Sequence, residues 1–262
     1  MKQSSSSVVI SSSSVESVAE IKPNGYYKSN CPEGKKCNYV STDYLNQEFL
    51  LDNKYGEILD SRDNKVYKTI EIEDQVWIAQ NLNYASGKSS CYEYKTENCS
   101  RYGRLYTWAG AIDSLKIYRE YGARCGYNQT GCGFLGEKWR GVCPLGWHLP
   151  TKAEFEKLLT NTHAWSRSAI LKSNNSWHND KGDDLFGIDS VGFSAVPGGF
   201  RFFNSEYDQL GLQAYFWSFT EFDYPNNAKA AYELFMTAVN EVVGLTSSIS
   251  KGEALSVRCI KD

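Results

Sequence analysis

Eight cysteines constrain this chain more than any other feature, because cross-links decide which segments lie side by side. They form three close pairs, Cys31 and Cys37, Cys91 and Cys99, Cys125 and Cys132, and one distant pair, Cys143 and Cys259. Eight thiols allow many connectivities, and the simplest joins nearest neighbours and then Cys143 to Cys259. Zinc is the rival reading. Structural zinc sites use tight Cys hooks of two to four intervening residues and paired histidines of similar spacing, neither of which occurs here. In the chain-entropy account each short bridge contributes about 2–3 kcal/mol and the long one about 5 kcal/mol. Such cross-linking implies an oxidising compartment, so the expected location is extracellular or at the outer-membrane surface.

Charge and hydropathy remove several classes of function. With 28 Lys+Arg against 31 Asp+Glu, the net charge of −3 gives no field suited to nucleic acid. The longest apolar runs, such as Val8-Val9-Ile10, fall far short of the roughly 20 residues that a membrane-spanning helix needs. Residues 1–20 are serine-rich, cannot bury enough apolar area to offset ordering entropy, and read as a flexible tether. They hold no apolar core of an export signal, so the expectation is a signal or lipid anchor lost from this chain. Residues 21–56 read as a short extension containing the Cys31/Cys37 loop, and residues 57–262 as the main domain.

Periodicity places a few elements in that domain. Val66, Lys68, Ile70 and Ile72 alternate with Tyr67, Thr69 and Glu71, and Gln75–Ala79 follows after Glu73-Asp74, which predicts a β-hairpin. Leu105, Trp108, Ala109 and Ile112 share one face of a helix. Thr151, followed three residues later by Glu154 and then by Phe155, Leu158 and Leu159, predicts a helix opened by a capping box. Later segments, 192–201, 214–221 and 255–262, read as strands, with Leu255, Val257 and Cys259 turned to the core. Trp77, Trp108 and Trp147 fall inside regular segments and read as core.

Taken together, six ordered strings resemble the Fibrobacter succinogenes major paralogous domain, a family of secreted and surface proteins. They are Asp60–Ile70, Val76–Tyr84, Gly103–Ala111, Gly141–Thr151, Gly192–Arg201 and Ser256–Asp262. The resemblance implies an α+β body of C-type-lectin-like fold, related to formylglycine-generating enzymes. It implies two helices packed on a twisted antiparallel sheet, with a long loop region.

Catalytic motifs are missing from the residues. Copper-dependent formylglycine chemistry needs a cysteine pair late in the domain, but Cys259 alone follows Cys143. Gly192-Phe193-Ser194 lacks the second glycine of a nucleophile elbow, and His148, His163 and His178 fit no triad order. His148, just before the capped helix, reads as a packed residue satisfying nearby backbone. Carboxylates for glycoside chemistry, Glu71, Asp183, Asp184, Asp189 and Glu221, cannot be paired by sequence. No catalytic residue is therefore assigned. Asp180, Asp183, Asp184 and Asp189 crowd hard oxygen ligands into one loop and form a candidate calcium site, although no cofactor is required. Trp177-His178-Asn179-Asp180 departs from the Trp-Asn-Asp string of calcium-dependent sugar binders, and no Glu-Pro-Asn accompanies it.

Aromatics are the remaining feature, 18 Tyr, 12 Phe and 7 Trp. Flat rings stack on sugars while their hydroxyls, together with neighbouring acids, bind sugar hydroxyls; the same surfaces also anchor proteins. Trp165, Trp177, Tyr215 and Trp217, with Asp183, Asp184 and Glu221, are the expected ligand-binding set. The function expected is a non-catalytic surface module that binds polysaccharide or a surface protein. The alternatives are an assembly subunit of a surface complex and a carboxylate-based glycan-active enzyme.

Overall fold

The computed structural model describes residues 31–262 apart from 33, 35, 130, 131, 137, 179, 180, 182, 183, 186 and 223–228. The serine-rich tether, Asp180 and Asp183 lie outside the described residues. Sheet predominates in an α+β architecture. One sheet orders the strands Asn38–Tyr39, Lys65–Ile72, Gln75–Ile78, Ile260–Lys261 and Trp147–His148, with Gly56–Asp60 also paired to Lys65–Ile72. The predicted hairpin is its centre: Ile72 faces Gln75 across Glu73-Asp74, and Glu73 takes the left-handed conformation that so short a turn requires. A second sheet orders Tyr207–Leu210, Gly198–Arg201, Ala254–Leu255, Leu105–Thr107 and Ser89–Ser90. A third contains Gln213–Glu221, Ala231–Thr237 and Val243–Thr246, and a two-stranded ribbon joins Trp177–His178 to Asp184–Leu185.

All four expected disulfides are present and no cysteine is free. Cys143 and Cys259 bring their Cα atoms to 5.9 Å, holding Ile260 between Trp77 and His148 in the first sheet. The capping box is formed: Thr151 Oγ1 accepts from the Glu154 N–H, and the Glu154 carboxylate accepts from the Thr151 N–H. Helix Lys152–Asn161 then buries Phe155, Leu158 and Leu159. Trp77, Trp108 and Trp147 are buried, as their periodic segments imply.

Two expectations about helices change. The described residues hold five short α-helices rather than two: Gln47–Leu51, Thr96–Tyr102, Trp108–Ala111, Ser114–Tyr121 and Lys152–Asn161. The stripe from Leu105 to Ile112 is not one helix, because Leu105–Thr107 is a strand paired with both Ala254–Leu255 and Ser89–Ser90. Thr107 then caps a single helical turn, Trp108–Ala111. Part of the segment set apart as an extension packs into the body, where Tyr44, Leu45 and Tyr55 join a cluster with Trp77 and Phe155.

Strand Gln213–Glu221 divides the interior in two. Tyr215, Trp217 and Phe219 pack into one apolar cluster with Trp108 and Cys259, while Ala214 and Phe216 pack into the other with Trp77 and Phe155. Both faces are therefore apolar for the same reason.

Candidate functional site

That double burial corrects the expected ligand-binding set. Tyr215 and Trp217 are buried, and the Trp217 indole donates to the Tyr106 carbonyl at 2.8 Å. Trp177 is buried too, its indole donating to the Ala195 carbonyl at 3.0 Å with the Lys172 ammonium 5.2 Å from its ring. A strand with core on both sides leaves no ring for a ligand, and the ribbon tryptophan, with an internal acceptor, is drawn inward. Trp165 alone of the four is exposed, at 45%. Glu221 is held by the buried Lys251 ammonium at 2.5 Å and accepts from the Cys132 N–H. Of the two remaining acids, Asp183 lies outside the described residues and Asp184 sits in the ribbon strand Asp184–Leu185.

Asp189 is likewise removed from the candidate calcium loop. It is fully buried, with one carboxyl oxygen accepting from the Ser194 N–H at 2.7 Å and the other from the Ser194 hydroxyl at 2.5 Å. Burial pushes its carboxyl up to about 7, against the opposing pull of those two hydrogen bonds. A carboxyl so desolvated and so engaged does not fit a hard cation. Its neighbours complete a polar knot. Tyr55 shares a hydrogen bond with the Ser194 hydroxyl, and Arg258 donates to the carbonyls of Phe193 and Ser194 and to Asn81 Oδ1. The Arg258 guanidinium also lies 4.7 Å from the Phe193 ring. Asp189 and Ser194 both sit in the left-handed region, and this network holds them there.

His148 differs from its expected role in one respect. It is buried, but its partners are carboxylates rather than backbone: Nδ1 meets Asp262 Oδ1 and Nε2 meets Glu154 Oε1, both at 2.8 Å.

The exposed rings gather elsewhere, around a hairpin formed by Gly198–Arg201 and Tyr207–Leu210. Its turn closes through Phe202 N–H to the Glu206 carbonyl and Ser205 N–H to the Phe202 carbonyl, which projects Phe203 at the tip, 68% exposed. On one flank the Tyr127 ring lies 5.4 Å from Phe203, with the Lys229 ammonium 6.0 Å from Tyr127. Gly252 lies beneath them, and a Cβ there would come within 2.5 Å of the Phe203 ring, so a larger residue would displace that ring. On the other flank Tyr94, 66% exposed, meets Tyr207 edge to face at 5.5 Å, and Tyr207 in turn packs on Tyr92 at 5.0 Å.

Tyr94 sits in an unusual backbone conformation. Glu93 and Tyr94 are consecutive non-glycine residues with positive φ, 51° and 58°, inside the loop closed by Cys91–Cys99. Two such residues in a row cost free energy that the surrounding cross-link and ring contacts must offset. Hydrogen bonds with the Tyr207 and Ser205 side chains, and then the nearby Arg201, hold the Tyr94 phenol below its ordinary range. The Arg201 Nε–H, buried, finds no acceptor among the described residues. The result is a ring pair on each flank of the hairpin, Tyr94 with Tyr207 and Tyr127 with Phe203, the first near the Arg201 guanidinium and the second near the Lys229 ammonium.

Sequence reasoning passed over these pairs. Their traces were present: Asn204-Ser205 is a turn pair flanked by Phe203 and Tyr207, and Tyr92 and Tyr94 lie in a small cysteine loop that has too few residues to bury both.

Among known families, the model of the Fibrobacter succinogenes major domain matches residues 70–261. No curated protein and no solved structure matches the chain.

Proposed function

This chain belongs to the Fibrobacter succinogenes major domain family, and from that premise we propose that it is a non-catalytic, exported module of C-type-lectin-like fold that binds polysaccharide. The binding face comprises Tyr94, Tyr207, Phe203 and Tyr127. One observation carries this reading: rings from three separate chain segments flank one hairpin, Tyr94 on Tyr207 at one side and Tyr127 on Phe203 at the other, with Tyr94 carried by a disulfide-closed loop. Sugar rings present flat apolar C–H faces edged by hydroxyls. Phenylalanine and tyrosine faces supply dispersion contact with the former, and Tyr94, Tyr207 and Arg201 supply donors to the latter. Rings fixed before binding lose little entropy on contact, so a shallow face can still hold a polymer.

Four disulfides support the exported location, since such bonds persist in oxidising compartments. A function in capture rather than turnover is supported by how the interior uses its acids: Asp189 is committed to Ser194, and Glu221 to Lys251.

Affinity electrophoresis of the purified protein through gels containing plant cell-wall glycans tests the reading. Retardation by at least one glycan is expected, with Phe203→Ala and Tyr94→Ala each weakening it by roughly tenfold while the melting temperature holds. Retardation by none of them, or unchanged retardation in both variants, overturns it. Capture of an envelope protein in the absence of any glycan binding favours the assembly role instead.

A further inference from the structure

A second cluster of exposed rings lies on helix Ser114–Tyr121 and on the segment that follows the Cys125–Cys132 loop. Leu115 and Tyr118, three residues apart, share the outer side of the helix, and both are exposed. Tyr121 at the helix end meets Phe134 at 5.4 Å and Trp139 at 6.2 Å, both near-perpendicular, with Tyr121 and Phe134 exposed. This surface shares none of the four rings of the hairpin face.

Its charge sets it apart from the rest of the chain. Residues 115–140 contain five cations, Lys116, Arg119, Arg124, Lys138 and Arg140, against two acids, Glu120 and Glu137, a local excess of +3 in a chain whose net charge is −3. The Lys116 ammonium lies 5.4 Å from the Trp139 ring and 3.8 Å from Glu120, and Arg140 donates to the Cys143 carbonyl. Arg119, Arg124 and Lys138 are exposed and have no ion-pair partner among the described residues. Arg119, one helical turn from Leu115 on helix Ser114–Tyr121, and Lys116, whose ammonium lies by the Trp139 ring, put cations on the element that carries these rings, which matches a ligand that offers flat sugar faces and carboxylates together.

We propose that this surface binds an anionic polysaccharide built of uronic acid units, independently of the hairpin face. A uronate places a carboxylate on each ring of a repeating apolar face, so one polymer satisfies the rings and the cations at once. An anionic lipid surface shares the charge, but it rewards deep apolar insertion. Here Leu115 and Phe134 are the only exposed aliphatic or unsubstituted aromatic side chains in the cluster, and the others carry polar edges.

The test compares polygalacturonate with the same polymer after methyl esterification, which keeps the rings and removes the charge. The full chain is expected to be retarded in native gels by the acidic polymer and at least about tenfold less by its ester, with retardation falling as salt rises. The exposed double variant Arg119→Ser/Arg124→Ser is expected to lose most of the difference, while Phe203→Ala keeps it, which separates this surface from the hairpin face. Tyr118→Ser is expected to weaken binding of both polymers. Equal retardation by acid and ester, an unaffected double variant with unchanged melting temperature, or capture by phosphatidylserine vesicles without polygalacturonate binding would each overturn the proposal.

Discussion

His148 shows how a single residue concentrates several requirements. Burial works against the charged imidazole, but the Glu154 and Asp262 carboxylates on its two nitrogens outweigh that and hold it above its ordinary range. For Glu154, burial is outweighed by His148 and the Thr151 hydrogen bonds, and its carboxyl is held below the usual range. A raised histidine gives stability that is complete below its unfolded value, about 6.5, and is lost as pH climbs through the folded value. A lowered glutamate gives stability present above its unfolded value, about 4.3, and lost as pH falls through the depressed one. The cluster therefore acts most strongly between about pH 5 and 6.5. His148→Gln should cost about 1–2 kcal/mol there and clearly less near pH 9, as read from urea melts at both pH values. An equal loss at both would contradict a charged imidazole. The three buried residues His148, Asp189 and Arg258 also mark what single residues conceal. Their types were visible, but Asp262 is remote from His148 and Asn81 from Arg258, and only Asp189 finds its partner, Ser194, nearby.

At the scale of elements, local chemistry was readable wherever its own neighbours supply the interaction. The capping box needs only Thr151 and Glu154, and the hairpin needs only alternation and a turn. Thr151→Ala should lower stability by about 1 kcal/mol. Because Glu154 serves both Thr151 and His148, the double change Thr151→Ala/His148→Gln should cost less than the two single losses added, a non-additivity that thermal melts can measure. Additive losses would show that the two contacts on Glu154 are independent. The stripe from Leu105 to Ile112 shows the reverse case. Its spacing is helical, yet Leu105–Thr107 lies between Ala254–Leu255, distant in sequence, and Ser89–Ser90, on the far side of helix Thr96–Tyr102, and their ladder hydrogen bonds override the local period.

Across the whole molecule the long cross-link organises what the short ones decorate. Cys143–Cys259 joins the approach to helix Lys152–Asn161 with the last strand, and the Cys259 carbonyl accepts from the Ile78 N–H. Replacing Cys143 and Cys259 together by alanine should cost about 5 kcal/mol, against about 2–3 kcal/mol for the Cys91/Cys99 pair. The smaller change should act mainly on the glycan binding proposed for the hairpin face, by releasing Glu93 and Tyr94. Guanidinium denaturation of the two variants checks the ranking, and equal losses would show that loop length does not govern them.

The chain by itself determined its α+β class, its capped helix and central hairpin, and its family, because each depends on near neighbours or on strings that survive intact in the text, while its cysteine spacing only favoured, among many connectivities, the pairing that the fold forms. Tertiary structure decided which aromatic residues outside the regular periodic segments face water. Strand Gln213–Glu221 became core on both sides only when two apolar clusters closed over it. Phe203 and Tyr94 stayed outside only because a hairpin tip and a cross-linked loop hold them there. Exposure is a property of what packs against a side chain, and those partners come from remote parts of the sequence.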